Sequence, residues 1–190
     1  MEYLTVGTDQ ITKELFVPVK DGGKTLFKPD GGLWLTEYNT DSYNEWLDFL
    51  IDNPTVFFYK NRSLNIWRQP CSLVILNKNS KIYRLFDDGS YDFLRYNYPL
   101  DTSRFSYEKL AKEYDGIFVD VLKLIRNCDR KQADRIIREF SVSSLLLFNL
   151  DCINYYQSGY VLIKPFDFDY YVYEDTGYEI VTDKVKKRIK

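Results

Sequence analysis

A single α+β domain is what this sequence predicts, with a mostly antiparallel sheet, whole or split in two, flanked by short helices. Three observations predict it. Short β-branched and aromatic runs recur along the chain, as in Tyr3-Leu4-Thr5-Val6, Leu33-Trp34-Leu35-Thr36 and Leu73-Val74-Ile75-Leu76. Apolar residues at helical spacing occur only in isolated places, among them Tyr43, Trp46, Leu47 and Leu50, and then Ala133, Ile136, Ile137 and Phe140. Strands fall before and after these helices instead of alternating with them, which favours α+β over regular βαβ units. The chain has 190 residues, 45% of them apolar, enough for one full core. The domain is set at residues 1–183 and a basic tail at 184–190.

In chain order, Tyr3-Leu4-Thr5-Val6 is a first strand ended by Gly7-Thr8-Asp9, and Asp21-Gly22-Gly23-Lys24 is a hairpin or loop. Lys28-Pro29-Asp30-Gly31-Gly32 leads into a second strand ending at Tyr38. The glycine pair is either a structural turn or a wall that a ligand can approach closely. On the ligand-wall alternative, Gly32→Val blocks binding and spares the fold. Ser42-Tyr43-Asn44-Glu45 matches a capping box for a helix that Pro54 closes, with Trp46 on its core face.

Residues 55–59, 72–76 and 81–86 read as strands, the last two as a hairpin across Lys78-Asn79-Ser80. The span 87–102, rich in Asp, Gly, Tyr and Asn, reads as a surface loop of lid length. Residues 107–119 give a helix, a turn at Asp115-Gly116 and a buried strand, with Asp115 pairing with backbone amides. The amphipathic helix 129–140 delivers the apolar run 142–149, suited to a central strand. Residues 160–163, 168–173 and 178–182 complete the strands.

Composition excludes several chemistries. The chain has no histidine, which removes His-ligated metals, Ser-His-Asp and Cys-His catalysis and an imidazole base. Cys71, Cys128 and Cys152 are odd in number and widely spaced, so neither a disulfide framework nor a Cys-based zinc site is expected. The acidic residues form no nuclease-like metal set, and no metal is expected. The formal net charge of -2 does not attract nucleic acid, leaving Lys184-Val185-Lys186-Lys187-Arg188-Ile189-Lys190 as the place for phosphate or an acidic partner, or else a solvated, frayed end. No early apolar segment reads as a signal peptide and no run spans a bilayer, so a cytoplasmic protein with no membrane partner is expected. Seventeen tyrosines and thirteen phenylalanines, with abundant Asn, Lys and Asp, fit an AT-rich genome such as that of a low-GC bacterium or its phage.

Four short segments between residues 3 and 153 carry a resemblance: Leu4-Thr5-Val6-Gly7-Thr8, Gly31-Gly32-Leu33-Trp34-Leu35-Thr36, Tyr114-Asp115-Gly116-Ile117, and the run from Ser144 through Asn149-Leu150-Asp151-Cys152-Ile153. In this order they resemble the ADP-ribosyltransferase superfamily. The resemblance implies NAD as substrate, with Thr5, Gly7, Gly31, Gly32, Trp34, Thr36 and Tyr38 lining its pocket, and a macromolecular acceptor. Thr5 stands where the family's strand carries a histidine. The family also places a glutamate beside the ribose, where a carboxylate stabilises developing positive charge. Glu37, Glu113 and Glu139 are the candidates here, none in the family's Glu-x-Glu or Gln-x-Glu setting. Two alternatives stand beside the enzyme: a catalytically silent bacterial or phage domain of this fold that blocks a protein partner through exposed tyrosines, and an unrelated α+β interaction protein.

Overall fold

Strands dominate the computed structural model, which describes residues 1–22, 28–39, 44–52, 68–131, 133–134, 140–163 and 178–189. They are β1 (Glu2–Val6), β2 (Leu33–Tyr38), β3 (Arg68–Leu76), β4 (Ile82–Leu85), β5 (Gly116–Val119), β6 (Ser144–Leu147), β7 (Ile153–Ile163) and β8 (Tyr178–Thr182). The helices among the described residues are α1 (Glu45–Asp52), α2 (Asp88–Asn97), α3 (Tyr107–Leu110) and α4 (Val121–Asn127). The strands form one sheet in the order β4-β5-β6-β2-β1-β3-β7-β8. Every ladder is antiparallel except β4 with β5. The α+β class and the mostly antiparallel sheet are therefore as the sequence predicts.

The sheet is continuous in order yet divided in pairing, and β2 is where it divides. Leu33, Trp34 and Leu35 pair with Leu147, Leu146 and Leu145 of β6. Thr36, Glu37 and Tyr38 pair instead with Leu4, Tyr3 and Glu2 of β1. Each half of β2 thus serves one neighbour, so a gap opens beside β1 at one end of the strand and beside β6 at the other. Two positive-φ glycines start β2 in this course, Gly31 at +74° and Gly32 at +71°. The Gly32 N–H donates to Val17 O at 2.8 Å, and Lys20 and Asp30 exchange backbone bonds of 2.9 and 3.0 Å, so the chain entering β2 is pinned.

Packing follows the same division. One cluster joins Leu85, Leu146 and Val119 of the β4-β5-β6 half to Tyr91, Leu94, Leu110 and Leu124 on α2, α3 and α4. A second joins Leu4, Cys71, Leu73 and Val161 of the other half to Leu47 of α1. The opposite face is filled by Tyr3, Leu35, Val74, Leu145 and Leu147, with Ile11 and Phe16 laid over them. Burying an aliphatic side chain stabilises by about 1.5–3 kcal/mol, so these clusters hold the halves together.

Several local expectations change. β3 and β4 do not form a hairpin; β3 pairs with β1 and β7, and β4 lies at the far edge beside β5. Asp115 redirects the chain, because its carboxylate accepts from Lys81 N at 2.8 Å while its own N–H donates to Lys81 O at 2.8 Å. The same carboxylate accepts from Asn149 Nδ2 at 2.9 Å, so Asp115 ties β4, β5 and β6 together. The span 87–102 is no lid loop: it contains α2, capped by Asp87, whose carboxylate accepts from Ser90 N at 2.7 Å, and packed through Tyr91 and Leu94.

Helix α1 begins after Asn44, whose side-chain oxygen accepts from Leu47 N at 3.1 Å; Asn44 is the cap, and Glu45 turns to Ser143. Ser42, the strand expected at 55–59, the strand expected at 168–173 and the Gly23-Lys24 half of the loop signal lie outside the described residues. Of the helix expected at 129–140, the first turn is described, with Ala133 N–H donating to Asp129 O at 2.9 Å. The tail is not frayed through residue 189: Lys187 exchanges backbone bonds of 2.9 and 2.8 Å with Tyr156, and Ile189 packs on the sheet. The Lys186 ammonium lies 4.4 Å from the Tyr155 ring centre and Lys187 Nζ donates to Ser158 Oγ at 2.7 Å, so two of the tail's charges rest on the domain's own surface.

Candidate functional site

The gap beside β1 is an open cleft of about 420 Å³. Val6, Gly7 and Gln69 form one wall, Trp34, Ser144, Val142, Ser141 and Phe140 the other, and Trp46 and Phe49 of α1 lie across it, with Lys28 also lining it. Each side chain arrives by a simple rule. Alternation along β2 puts Trp34 on the same face as Thr36 and Tyr38, the face that carries α1. Trp46 and Phe49, three positions apart, share one side of α1. Gly7 turns the chain out of β1 at a φ of +102° while its N–H donates to Pro70 O at 2.7 Å.

The cleft is held open by specific contacts. Trp46 Nε1 donates to Ser144 Oγ at 3.0 Å, and Ser144 Oγ donates to Val142 O at 3.0 Å. The Glu45 carboxylate accepts from Ser143 N at 2.8 Å and from Ser143 Oγ at 3.1 Å, so the first turn of α1 is bolted to the start of β6. Trp34 and Phe140 meet at 6.0 Å between ring centres, tilted by 48°. The Lys28 ammonium sits 5.6 Å from both of those rings. A concave apolar surface with a few polar groups and one cation is the usual make-up of a small-molecule pocket.

The second gap, beside β6, is a groove of about 920 Å³ lined by Thr36, Glu37, Tyr38, Glu45, Phe118, Asp120, Lys123, Arg126 and Ser143, among others. Three of its carboxylates already have partners. Glu37 pairs with Arg84 at 3.2 Å, Asp120 with Lys123 at 3.0 Å, and Glu45 with Ser143.

The structure therefore separates the residues that the resemblance groups. Gly7 and Trp34 meet in the aromatic cleft. Thr36 and Tyr38 line the charged groove instead. Thr5 is buried opposite Ser72, on the sheet face away from α1, and does not line the cleft. Gly31 and Gly32 are turn residues. A Cβ on Gly31 meets the carbonyls of Pro18 and Val17, and one on Gly32 meets the Leu146 side chain and Leu147 O, so Gly32→Val attacks the fold itself.

Of the candidate acids, Glu37 lies in the groove and Glu113 accepts from Tyr98 OH at 2.9 Å beside α2. Glu139 lies outside the described residues. Among the described residues no carboxylate lines the cleft. Nor is a thiolate at hand, because burial pushes the Cys71, Cys128 and Cys152 thiols up to about 12.

Sequence reasoning placed Phe140 in the core, where it is, 4% exposed with one edge at the cleft, and placed Trp46 there too, which is only partly buried; it gave Lys28 and Phe49 no part. Helical spacing shows that such side chains face inward, but not whether they meet another element or a gap. No group of acidic or cysteine side chains among the described residues is arranged to hold a metal ion, and no described helix is long and apolar enough to cross a membrane. Compared with known proteins, the chain matches no family, no curated protein and no solved structure.

Proposed function

We propose that this chain is an ADP-ribosyltransferase-like protein that binds NAD in the aromatic cleft and transfers ADP-ribose to a macromolecular acceptor. The observation that supports this reading is the position of the cleft. It opens where β2 leaves β1, and Gly7 and Trp34, from two separate segments of the resemblance, stand on its opposite walls. Stacking of a planar base or nicotinamide ring on an aromatic side chain is worth about 1–3 kcal/mol, and the partly exposed Trp34 and Trp46 provide such faces. The volume of about 420 Å³ takes part of a dinucleotide, with the remainder extending outward. Glu139, adjacent in sequence to Phe140, is the candidate acid that remains for the transfer. A cytoplasmic setting, in a bacterium or a host cell, goes with a chain that uses NAD.

One observation favours a second reading, a catalytically silent domain that blocks a protein partner. Glu37 and Glu113 are engaged with Arg84 and Tyr98, away from the cleft. Leu122 and Ile125 of α4 are half exposed, a small apolar contact surface.

Calorimetric titration with NAD, followed by mass spectrometry for free nicotinamide, tests the proposal. Binding with nicotinamide release, both weakened in Trp34→Ala and the release alone lost in Glu139→Gln, is the expected result. Binding without release supports the silent domain, and no binding at millimolar NAD overturns the NAD reading.

A further inference from the structure

We propose that the C-terminal segment is a latch that sets the position of the loop after β1, and with it one wall of the cleft, and that Lys187 is its positioning residue. The latch is independent of the NAD reading, since every contact in it lies within the chain. Gly7 stands on the cleft wall and opens the loop. Three successive residues of that loop are each held from the sheet. The Gly7 N–H donates to Pro70 O at 2.7 Å, Ser72 Oγ donates to Thr8 O at 3.1 Å, and Ser158 Oγ donates to Asp9 O. Ser72 and Ser158 are register partners on β3 and β7 and both are buried, so two adjacent hydroxyls underlie the loop.

Ser158 is where the tail joins this arrangement. Lys187 Nζ donates to Ser158 Oγ at 2.7 Å, and the Lys187 backbone exchanges bonds of 2.9 and 2.8 Å with Tyr156 on the same strand. The ammonium is thus placed by its own backbone, with the Asp183 carboxylate 3.7 Å away. Ser158 Oγ accepts from the ammonium and gives its one proton to Asp9 O, so the bonds run in one direction from tail to loop. A cation donating to a hydroxyl polarises its O–H and strengthens the bond donated in turn. Ile189 of the tail and Ile11 beyond the loop belong to one apolar cluster, which seats both segments on the same face of the sheet. Without the ammonium, the Ser158 hydroxyl is free to rotate and the Asp9 carbonyl loses a fixed donor.

Amide hydrogen exchange of the ligand-free chain, read residue by residue by NMR, tests the latch. In Lys187→Met the Gly7 amide is expected to exchange about tenfold faster, the scale of one hydrogen bond from a charged group. The Asp120 amide, bonded to Leu85 O in the other half of the sheet, keeps its rate. Lys187→Arg, which keeps a cationic donor, retains the wild-type rate at Gly7. Ser158→Ala speeds Gly7 exchange as Lys187→Met does, and combining the two adds little, because both act through one chain of bonds. Lys184→Met, at an exposed cation of the same tail, leaves both amides unchanged.

An unchanged Gly7 rate in Lys187→Met overturns the proposal, and so does an equal acceleration at Asp120, which would make Lys187 a support of the whole fold. Effects of Ser158→Ala and Lys187→Met that simply add contradict the route through Ser158. An acceleration in Lys184→Met as large as that in Lys187→Met would assign the effect to the tail's charge instead of to the Lys187 bond. If Lys187→Met loses its native circular dichroism, Lys187→Gln takes its place with the same readings. Because no ligand is present, these outcomes hold whether or not the cleft binds NAD.

Discussion

The two gaps beside β2 arise from one geometric cause and differ in chemistry. Where β2 leaves β1, the lining is Val6, Gly7, Trp34, Trp46, Phe49, Phe140 and Val142, with Lys28 at hand. Where it leaves β6, the lining is Glu37, Glu45, Asp120, Lys123 and Arg126 around Thr36 and Tyr38. In the groove Glu37, Asp120 and Glu45 are already met by Arg84, Lys123 and Ser143, so a ligand that pairs with them must displace existing partners. In the cleft the aromatic faces offer surface that binding takes out of water. A strand that changes partners creates openings at both of its ends, and the side chains beside each decide which one suits a ligand. By volume alone the groove is the larger.

The largest effect expected is on the strand that makes the division. Gly32→Val puts a β-branched residue at a φ of +71° against Leu147 O, 2.9 Å from the new Cβ, and should cost about 3 kcal/mol or more in urea denaturation. Gly7→Ala, at a φ of +102° with nothing within 4 Å of its new Cβ, should cost only about 1–2 kcal/mol, so the pair separates strain with overlap from strain alone. Next in size is the contrast between the openings. Trp34→Ala should weaken NAD binding by about 1–3 kcal/mol in calorimetry, the value of one stacked ring. Glu37→Gln in the groove should leave that affinity within error; a loss as large as that of Trp34→Ala would move the site to the groove.

A smaller loss is expected where α1 is bolted to β6. Glu45→Gln removes a carboxylate that accepts from both Ser143 N and Ser143 Oγ, and should lower stability by about 1–2 kcal/mol in thermal unfolding. The most gradual effect belongs to Tyr98 beside α2. Burial, and then its bond to Glu113, push its phenol from 10.0 up to about 12. The folded state therefore holds this proton more tightly than the unfolded chain. The stability from this group is complete below pH 10 and is lost as pH rises toward 12, and Tyr98→Phe should flatten that part of the stability curve.

Much of the fold was legible because its signals are local. Alternation marks β1 and β2, and the run of three leucines Leu145, Leu146 and Leu147 marks a strand buried on both faces, as β6 is. The β3-β4 hairpin was misread because a polar turn between two apolar runs favours one locally, whereas the Lys81–Asp115 bonds that override it come from 34 residues away. Helix α2 was misread because Asp88, Gly89, Asp92 and Asn97 are poor helix formers and hide Tyr91 and Leu94, which share a buried face.

The cleft was half legible. Gly7 and Trp34 stand on strands whose resemblance singled them out, and both line it. Trp46, Phe49 and Phe140 come from other elements, and only the folded arrangement brings them to one opening. Lys28 carries no pattern of its own, since a lone lysine before Pro-Asp-Gly-Gly reads as a solvated turn residue. Thr36 and Tyr38 went elsewhere because a strand that changes partners at Leu35 and Thr36 sends its two halves to different openings.

The most direct test of the account is an NMR titration with NAD that follows the indole N–H resonances, assigned by single Trp→Phe variants. The account predicts that the Trp34 and Trp46 indoles shift together and saturate at one affinity, while amides around Glu37, Lys123 and Arg126 stay in place. Shifts confined to the groove, or no shift of either indole at millimolar NAD, would contradict it.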